Sequence, residues 1–220
     1  MSPNAIAARL AALYERRSLR EYVRWKVRTD PAYLAVFDRV GKSDLPLIDL
    51  GCGVGLLAFY LRERGYVAPI VGVDFDERKI EAARTAARGY RDVEFRAGDA
   101  REPLPDRHHV VILDILQYFD ARSQQLILQQ AARAVPPGGL VIIRQALRDR
   151  SWRYRLTSLV DGLARTFHWM KAEHLLFPTR DEIAESFAGF TSEIRPLWGN
   201  MPYNNYLLVF TRPAVARPSE

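Results

Sequence analysis

Cysteine is nearly absent from this chain of 220 residues, which holds only Cys52. That excludes an intramolecular disulfide and any multi-cysteine metal site, and it suits a reducing compartment. Lysine is also scarce: Lys26, Lys42, Lys79 and Lys171 are the only lysines among 32 basic residues, so the rest are arginine. No charge-free apolar run approaches the roughly 20 residues that a membrane-spanning helix needs. Arg9 arrives too early for a signal-peptide apolar region, and no repeat or low-complexity segment stands out. These absences together predict a soluble, cytoplasmic protein without a metal centre.

What is present is a hydrophobic share of 48% and a charged share of 26%, enough for one globular domain with a real core. The formal charge of +6 raises the question of an anionic partner, nucleic acid or a membrane surface. Up to Lys42 there are nine basic and four acidic residues, so nearly all of the excess precedes the first expected strand. Arginines are dispersed through the rest of the chain too, which argues for a general preference as much as for a nucleic-acid stripe.

The first 40 residues read as helices. Ile6, Leu10 and Leu13 form one apolar stripe, Leu19, Tyr22, Val23 and Val27 another, and Asp30-Pro31 opens a third short helix. After Gly41, short β-rich runs alternate with amphipathic segments, the pattern of a parallel sheet with helices on both faces. Strands are expected at Pro46 to Leu50, Pro69 to Asp74, Val93 to Ala97, Val110 to Asp114 and Leu140 to Gln145. Helices are expected at Val54 to Arg64, Glu77 to Arg88 and Ala121 to Ala134. From Leu147 to Phe190 the rhythm breaks: a helix bearing Trp152, Leu156, Leu159, Val160, Leu163 and Phe167 precedes an aromatic, basic loop and a last helix, Thr179 to Phe187. Strands near Thr191 to Leu197 and Tyr206 to Thr211 should pair as an antiparallel hairpin. The expected architecture is α/β, a doubly wound seven-stranded, mostly parallel sheet with the last strand antiparallel. Its parts would be an N-terminal helical cap (1–42), a Rossmann-like core (43–146), a helical lid (147–190) and a C-terminal hairpin (191–220).

The chemistry concentrates at strand ends. Asp49-Leu50-Gly51-Cys52-Gly53-Val54-Gly55 runs from a strand into a glycine-rich turn and then a helix, where the backbone can approach a ligand closely. The dinucleotide fingerprint wants its third glycine one residue later, where Leu56 stands, and Asp49 would repel a pyrophosphate. Asp49 suits a cationic ligand with an amino group. Asp74 closes the second strand 23 residues past Gly51, near the spacing at which a carboxylate meets ribose hydroxyls. Gly98-Asp99-Ala100 follows the third strand and Asp114-Ile115-Leu116-Gln117-Tyr118 the fourth.

The Asp-x-Gly-x-Gly-x-Gly turn, the acidic end of strand two, Gly-Asp-Ala and Pro136-Pro137-Gly138-Gly139 occur here in order. In this the sequence resembles the class I S-adenosylmethionine-dependent methyltransferases, over residues 46–145. The resemblance implies that the turn of Gly51, Cys52, Gly53 and Gly55 holds the methionine and ribose portion of S-adenosylmethionine, with Asp49 near the amino acid part. It implies that Asp74 takes both ribose hydroxyls, that Asp99 receives the adenine amino group beside the Ala100 backbone, and that Phe75 packs on the adenine face. Asp114, Ile115 and Gln117 fall where methionine or acceptor contacts arise, with helix capping as the alternative. Cys52 reads as a small turn residue rather than a nucleophile.

Candidates for a catalytic base are His168, His174 and Tyr118, while the adjacent His108 and His109 read as a solvent-side loop pair of which one faces inward. Tyr14 and Tyr22 either close over the cofactor or pack in the core. The lid arginines Arg153, Arg155 and Arg165 suit either a packed lid or a membrane-surface helix. Strand four lacks the Asn/Asp-Pro-Pro-Tyr of base amino-group methylation, so a small-molecule acceptor is favoured, apolar or aromatic with an acidic or carrier-linked group. The segment Pro202-Tyr203-Asn204-Asn205-Tyr206 is similar to methyltransferases of bacterial aryl-polyene and related polyketide pathways. An RNA methyltransferase using the basic N-terminal face, and a non-catalytic cofactor-binding partner protein, are the alternative readings.

Overall fold

The computed structural model describes residues 2–149, 151–155, 175–198 and 204–214. Two compact units divide the chain, Met1–Glu102 and Pro103–Glu220. Its seven-stranded sheet has the order β3-β2-β1-β4-β5-β7-β6.

In the first unit, helix α1 (Pro3–Ala12) begins where the Ser2 hydroxyl accepts from Ala5 N, and it buries Ile6, Ala7, Leu10 and Ala11. Helix α2 (Arg17–Thr29) buries Val23 and Val27, whereas Tyr22, expected on that stripe, is 44% exposed. The reason is angular: at 100° per residue Tyr22 lies about 120° from the centre of the face that holds Val23 and Val27, on the solvent side. Helix α3 (Ala32–Val40) follows. Strand β1 (Leu47–Leu50) is buried throughout and pairs in parallel with β2 (Ile70–Asp74), Leu47 opposite Ile70. β2 pairs in parallel with β3 (Val93–Ala97), Ile70 opposite Val93. Between them lie α4 (Leu56–Glu63) and α5 (Glu77–Ala86). α4 starts two residues later than its apolar pattern suggests, because Gly55 at φ 88° is left-handed and cannot belong to the helix.

In the second unit, β4 (His109–Leu113) and β5 (Leu140–Ala146) are parallel, with Val110 opposite Val141. Helix α6 (Ala121–Ala134) is capped by Asp120 and buries Ile127, Leu128 and Ala131. β6 (Thr191–Pro196) and β7 (Asn205–Thr211) form the expected antiparallel pair, and β7 also runs antiparallel to β5. The last helix, α7 (Arg180–Ala184), is shorter than expected: Thr179 is its cap in a reciprocal capping box with Glu182, and Glu185–Phe187 tightens into a 3-10 turn. The expected helix over residues 152–170 falls largely outside the described residues.

Candidate functional site

The glycine turn is built from backbone bonds that leave its outer side open. Gly51 N and Cys52 N both donate to Val73 O, at 2.7 and 3.1 Å, so the chain leaving β1 is pinned over the end of β2. Gly51, Gly53 and Gly55 take φ of 76°, 55° and 88°, a region in which a β-carbon is penalised. One carboxylate then locks two turns: Asp74 Oδ2 accepts from Gly53 N and Oδ1 from Asp76 N, each at 2.9 Å. Sequence reasoning missed the wall behind this turn. A β-carbon on Gly55 would lie 2.5 Å from the Phe95 ring, and one on Gly72 would lie 2.6 Å from that ring and 2.9 Å from Cys52 Sγ. On Gly53 a β-carbon would meet nothing within 4 Å, which is the space a ligand needs to reach the backbone. No local pattern around Phe95 signals this role, since an inward-facing phenylalanine on a strand is ordinary core.

The acids of the site are buried. Asp74 is 6% exposed and Asp49 only 2%. Asp49 makes no side-chain hydrogen bond among the described residues, and burial, reinforced by the neighbouring Asp74 charge, pushes its carboxyl up to about 7. Such a pair accommodates a cation or a set of N–H and O–H donors and repels phosphate. The Cys52 thiol is pushed up by burial and then by Asp49 and Asp74, which favours the protonated thiol. Tyr14, its phenol pushed up chiefly by burial, donates to Val54 O at 2.7 Å and so ties the helical N-terminal segment to the turn.

Past the end of β2, Phe75 is 71% exposed, with Lys79 Nζ 5.8 Å from its ring centre. An exposed ring beside a strand-end acid is a platform for a planar group. Asp99 is differently placed. Arg101 grips its carboxylate through N and Nε at 2.9 Å and Nη2 at 2.5 Å, and these bonds hold Asp99 below the usual carboxylate range. An adenine amino group would therefore share these oxygens with Arg101. Ala100 is buried beside it.

In the second unit, Asp114, the residue just past β4, adopts φ 57°, and its carboxylate pairs with the buried Arg144. The Gln117 amide links two strand ends and caps no helix: Nε2 donates to Asp114 O at 2.9 Å, while Oε1 accepts from Gln145 Nε2 at 2.6 Å. Ile115 is half-buried, and Tyr118, in the 3-10 turn Leu116–Tyr118, is 40% exposed. His109 departs from the loop expectation. It is the first residue of β4, buried, with Nδ1 accepting Leu140 N at 3.0 Å, and burial drives its pKa down to about 4. A strand position that completes a backbone hydrogen bond outweighs the hydrophilic look of the His-His pair. His168, His174 and residues 199–203 of the hairpin turn lie outside the described residues.

A family model described as "Methyltransferase domain" matches residues 41–172. Among curated proteins, a ubiquinone biosynthesis O-methyltransferase of Bradyrhizobium sp. (strain ORS 278) is 27% identical over 147 residues, covering 65% of this chain and 56% of that protein. A ribosomal protein L11 methyltransferase of Burkholderia vietnamiensis (strain G4 / LMG 22486) is 32% identical over 108 residues, 48% of this chain and 33% of that one. The chain thus spans about half of the first relative's length and a third of the second's. Among solved structures, magnesium protoporphyrin IX methyltransferase from Synechocystis PCC 6803 with bound SAH aligns at TM-score 0.67 and 18% identity, covering 94% of this chain and 93% of that chain, a likeness of fold. With the family model spanning more than half of its length, the chain belongs to the class I S-adenosylmethionine-dependent methyltransferases.

Proposed function

We propose that this chain transfers a methyl group from S-adenosylmethionine to a small apolar or aromatic acceptor. The observation that carries the reading is Asp49, a buried carboxylate without a hydrogen-bond partner among the described residues, next to Asp74 under an open glycine turn. This donor set fits the cofactor: a cationic amino group answers Asp49, and ribose hydroxyls answer the lone pairs that Asp74 retains after accepting Gly53 N and Asp76 N. Phe75 would cover the adenine and Gly53 would admit the cofactor's close approach to the backbone. Bound here, S-adenosylmethionine supplies an electrophilic methyl group on a sulfonium whose charge is lost on transfer. The chain's own part is to bind, orient and exclude water, and orientation alone can contribute about 7 to 11 kcal/mol. A general base is required only for an acceptor that must lose a proton.

The acceptor class is supported by the ubiquinone biosynthesis O-methyltransferase, whose name gives a small molecule, against the relative named for a ribosomal protein. Neither of these names favours an aryl-polyene acceptor over other apolar metabolites.

Calorimetric titration with S-adenosylhomocysteine tests the cofactor reading. Binding to the wild type that Asp74→Ala weakens by at least tenfold supports it, and no binding to the wild type, or unchanged binding to the variant, refutes it. Incubation with methyl-labelled cofactor and cell extract then tests the acceptor. Label is expected in the small-molecule fraction; label in RNA or protein overturns that choice, and no label in any fraction favours a non-catalytic binding protein.

A further inference from the structure

The solvent face of α2 is more than a solvated surface. On the side of the helix away from the buried Val23 and Val27, helical spacing places Arg17, Arg24 and Arg28 in a row along one flank, with Trp25 opposite the buried face and Tyr22 beyond it. Trp25 is 51% exposed and Tyr22 44%. Arg24 is paired with Glu21 at 2.6 Å, the carboxylate on this face, while Lys26 is paired with Asp30 at its edge. Arg17 and Arg28 have no ion-pair partner among the described residues. Two large amphipathic rings left in water, flanked by a lengthwise row of guanidinium groups, form a face whose charge and shape complement an anionic lipid surface. Indole and phenol rings prefer the glycerol level of a bilayer, where a polar edge and an apolar body are both satisfied, and arginines engage the headgroup phosphates. A duplex could use the arginine row, but its paired and stacked bases would leave the neighbouring ring row without partners.

We propose that α2 docks the protein onto anionic membranes through this face. The site is joined to α2 by two bonds: Arg20 Nε donates to Tyr14 O at 2.6 Å, and Tyr14 Oη donates to Val54 O at 2.7 Å in the glycine turn. Docking therefore holds the turn near the lipid, where an apolar acceptor is concentrated.

The test is co-sedimentation of the full chain with vesicles of phosphatidylglycerol and phosphatidylcholine, or of phosphatidylcholine alone. The wild type is expected to pellet with the anionic vesicles at low salt, to be released at high salt, and to stay in solution with the neutral ones. Replacing the row by Arg17→Gln, Arg24→Gln and Arg28→Gln together should weaken binding on the order of a hundredfold, from about 1 kcal/mol for each basic residue near such a surface. Trp25→Ala with Tyr22→Ala should weaken it without changing its salt dependence. Thermal melts matching the wild type show that the variants fold, and the exposed positions make that the expected result. Failure of the wild type to pellet, equal binding to neutral vesicles, or an unchanged arginine variant overturns the proposal. So does competition by single-stranded RNA at equal phosphate, which would mark the face as a nucleic-acid surface. None of these outcomes bears on S-adenosylhomocysteine binding, which tests the methyltransferase reading separately.

Discussion

Asp49 and Asp74 are one residue type in two environments, and the difference is usable. Asp74 spends hydrogen-bonding capacity on the backbone of two turns, while Asp49 is buried without that help and carries a carboxyl pushed up to about 7. A cationic ligand favours the ionised form, so binding must release the proton that Asp49 holds below pH 7. S-Adenosylhomocysteine affinity is therefore expected to rise between pH 5 and pH 7, approaching tenfold per pH unit at the acid end, and then to level off. Asp49→Asn should bind weakly at every pH, with the slope gone. Titration calorimetry in buffers of different ionisation enthalpy reads both affinity and proton release; a flat wild-type profile would assign Asp49 a different neighbour. The same raised carboxyl works against the ligand-free fold, since the folded state holds a proton that the unfolded state has lost between about pH 4 and pH 7.

At the scale of elements, β4 and β5 meet at a histidine with the opposite sign. His109 is held neutral, its pKa near 4 against an ordinary value near 6.5. Its contribution is complete above about pH 6.5 and is lost as the pH falls through 4, because the unfolded chain takes up the proton first. His109→Gln is expected to lower the melting temperature at pH 7 and to flatten its decline between pH 6.5 and pH 4.5, read by circular dichroism. Gly72 of β2, behind the glycine turn, makes a second case. Ala at Gly72 would press a methyl group to 2.6 Å from Phe95, and overpacking of this kind typically costs 1 to 3 kcal/mol. Gly72→Ala should thus destabilise the first unit, while Phe95→Leu in the same chain should recover part of the loss. Additive losses in the double variant would show that Phe95 does not support the turn. The turn's glycines were legible in the sequence as a pattern; the partner that makes Gly72 necessary was not, because it arrives from another strand.

For the whole molecule the useful quantity is linkage between ligand and stability. A ligand that binds only the folded chain, at a hundred times its dissociation constant, adds about 2.7 kcal/mol. At this chain length that corresponds to a rise of about 5 to 10 °C in melting temperature. S-Adenosylhomocysteine is expected to produce it in the wild type and not in Asp74→Ala, and a scanning calorimeter would show its absence at once. The arginine-rich composition, with a formal charge of +6, is also a property of the whole. Three of those arginines gain meaning from their row beside Trp25 and Tyr22 on α2.

Periodicity and turn chemistry are local, and so the sequence by itself determined the strands and helices of the core, the parallel pattern, and the glycine turn with its acid at each end. Pattern matching also carried the family, since its motifs follow chain order. Only the tertiary structure decided which of four strand-end acids keep their charge available. Asp99 and Asp114 are drawn into pairs with Arg101 and Arg144, whereas Asp49 is sealed in with Asp74. It likewise turned Tyr22 outward and His109 inward. Availability of a charged group depends on burial and on partners, and for Asp114 and Arg144 these come from residues 30 apart in the chain; one-dimensional spacing names the acid but cannot say what lies against it.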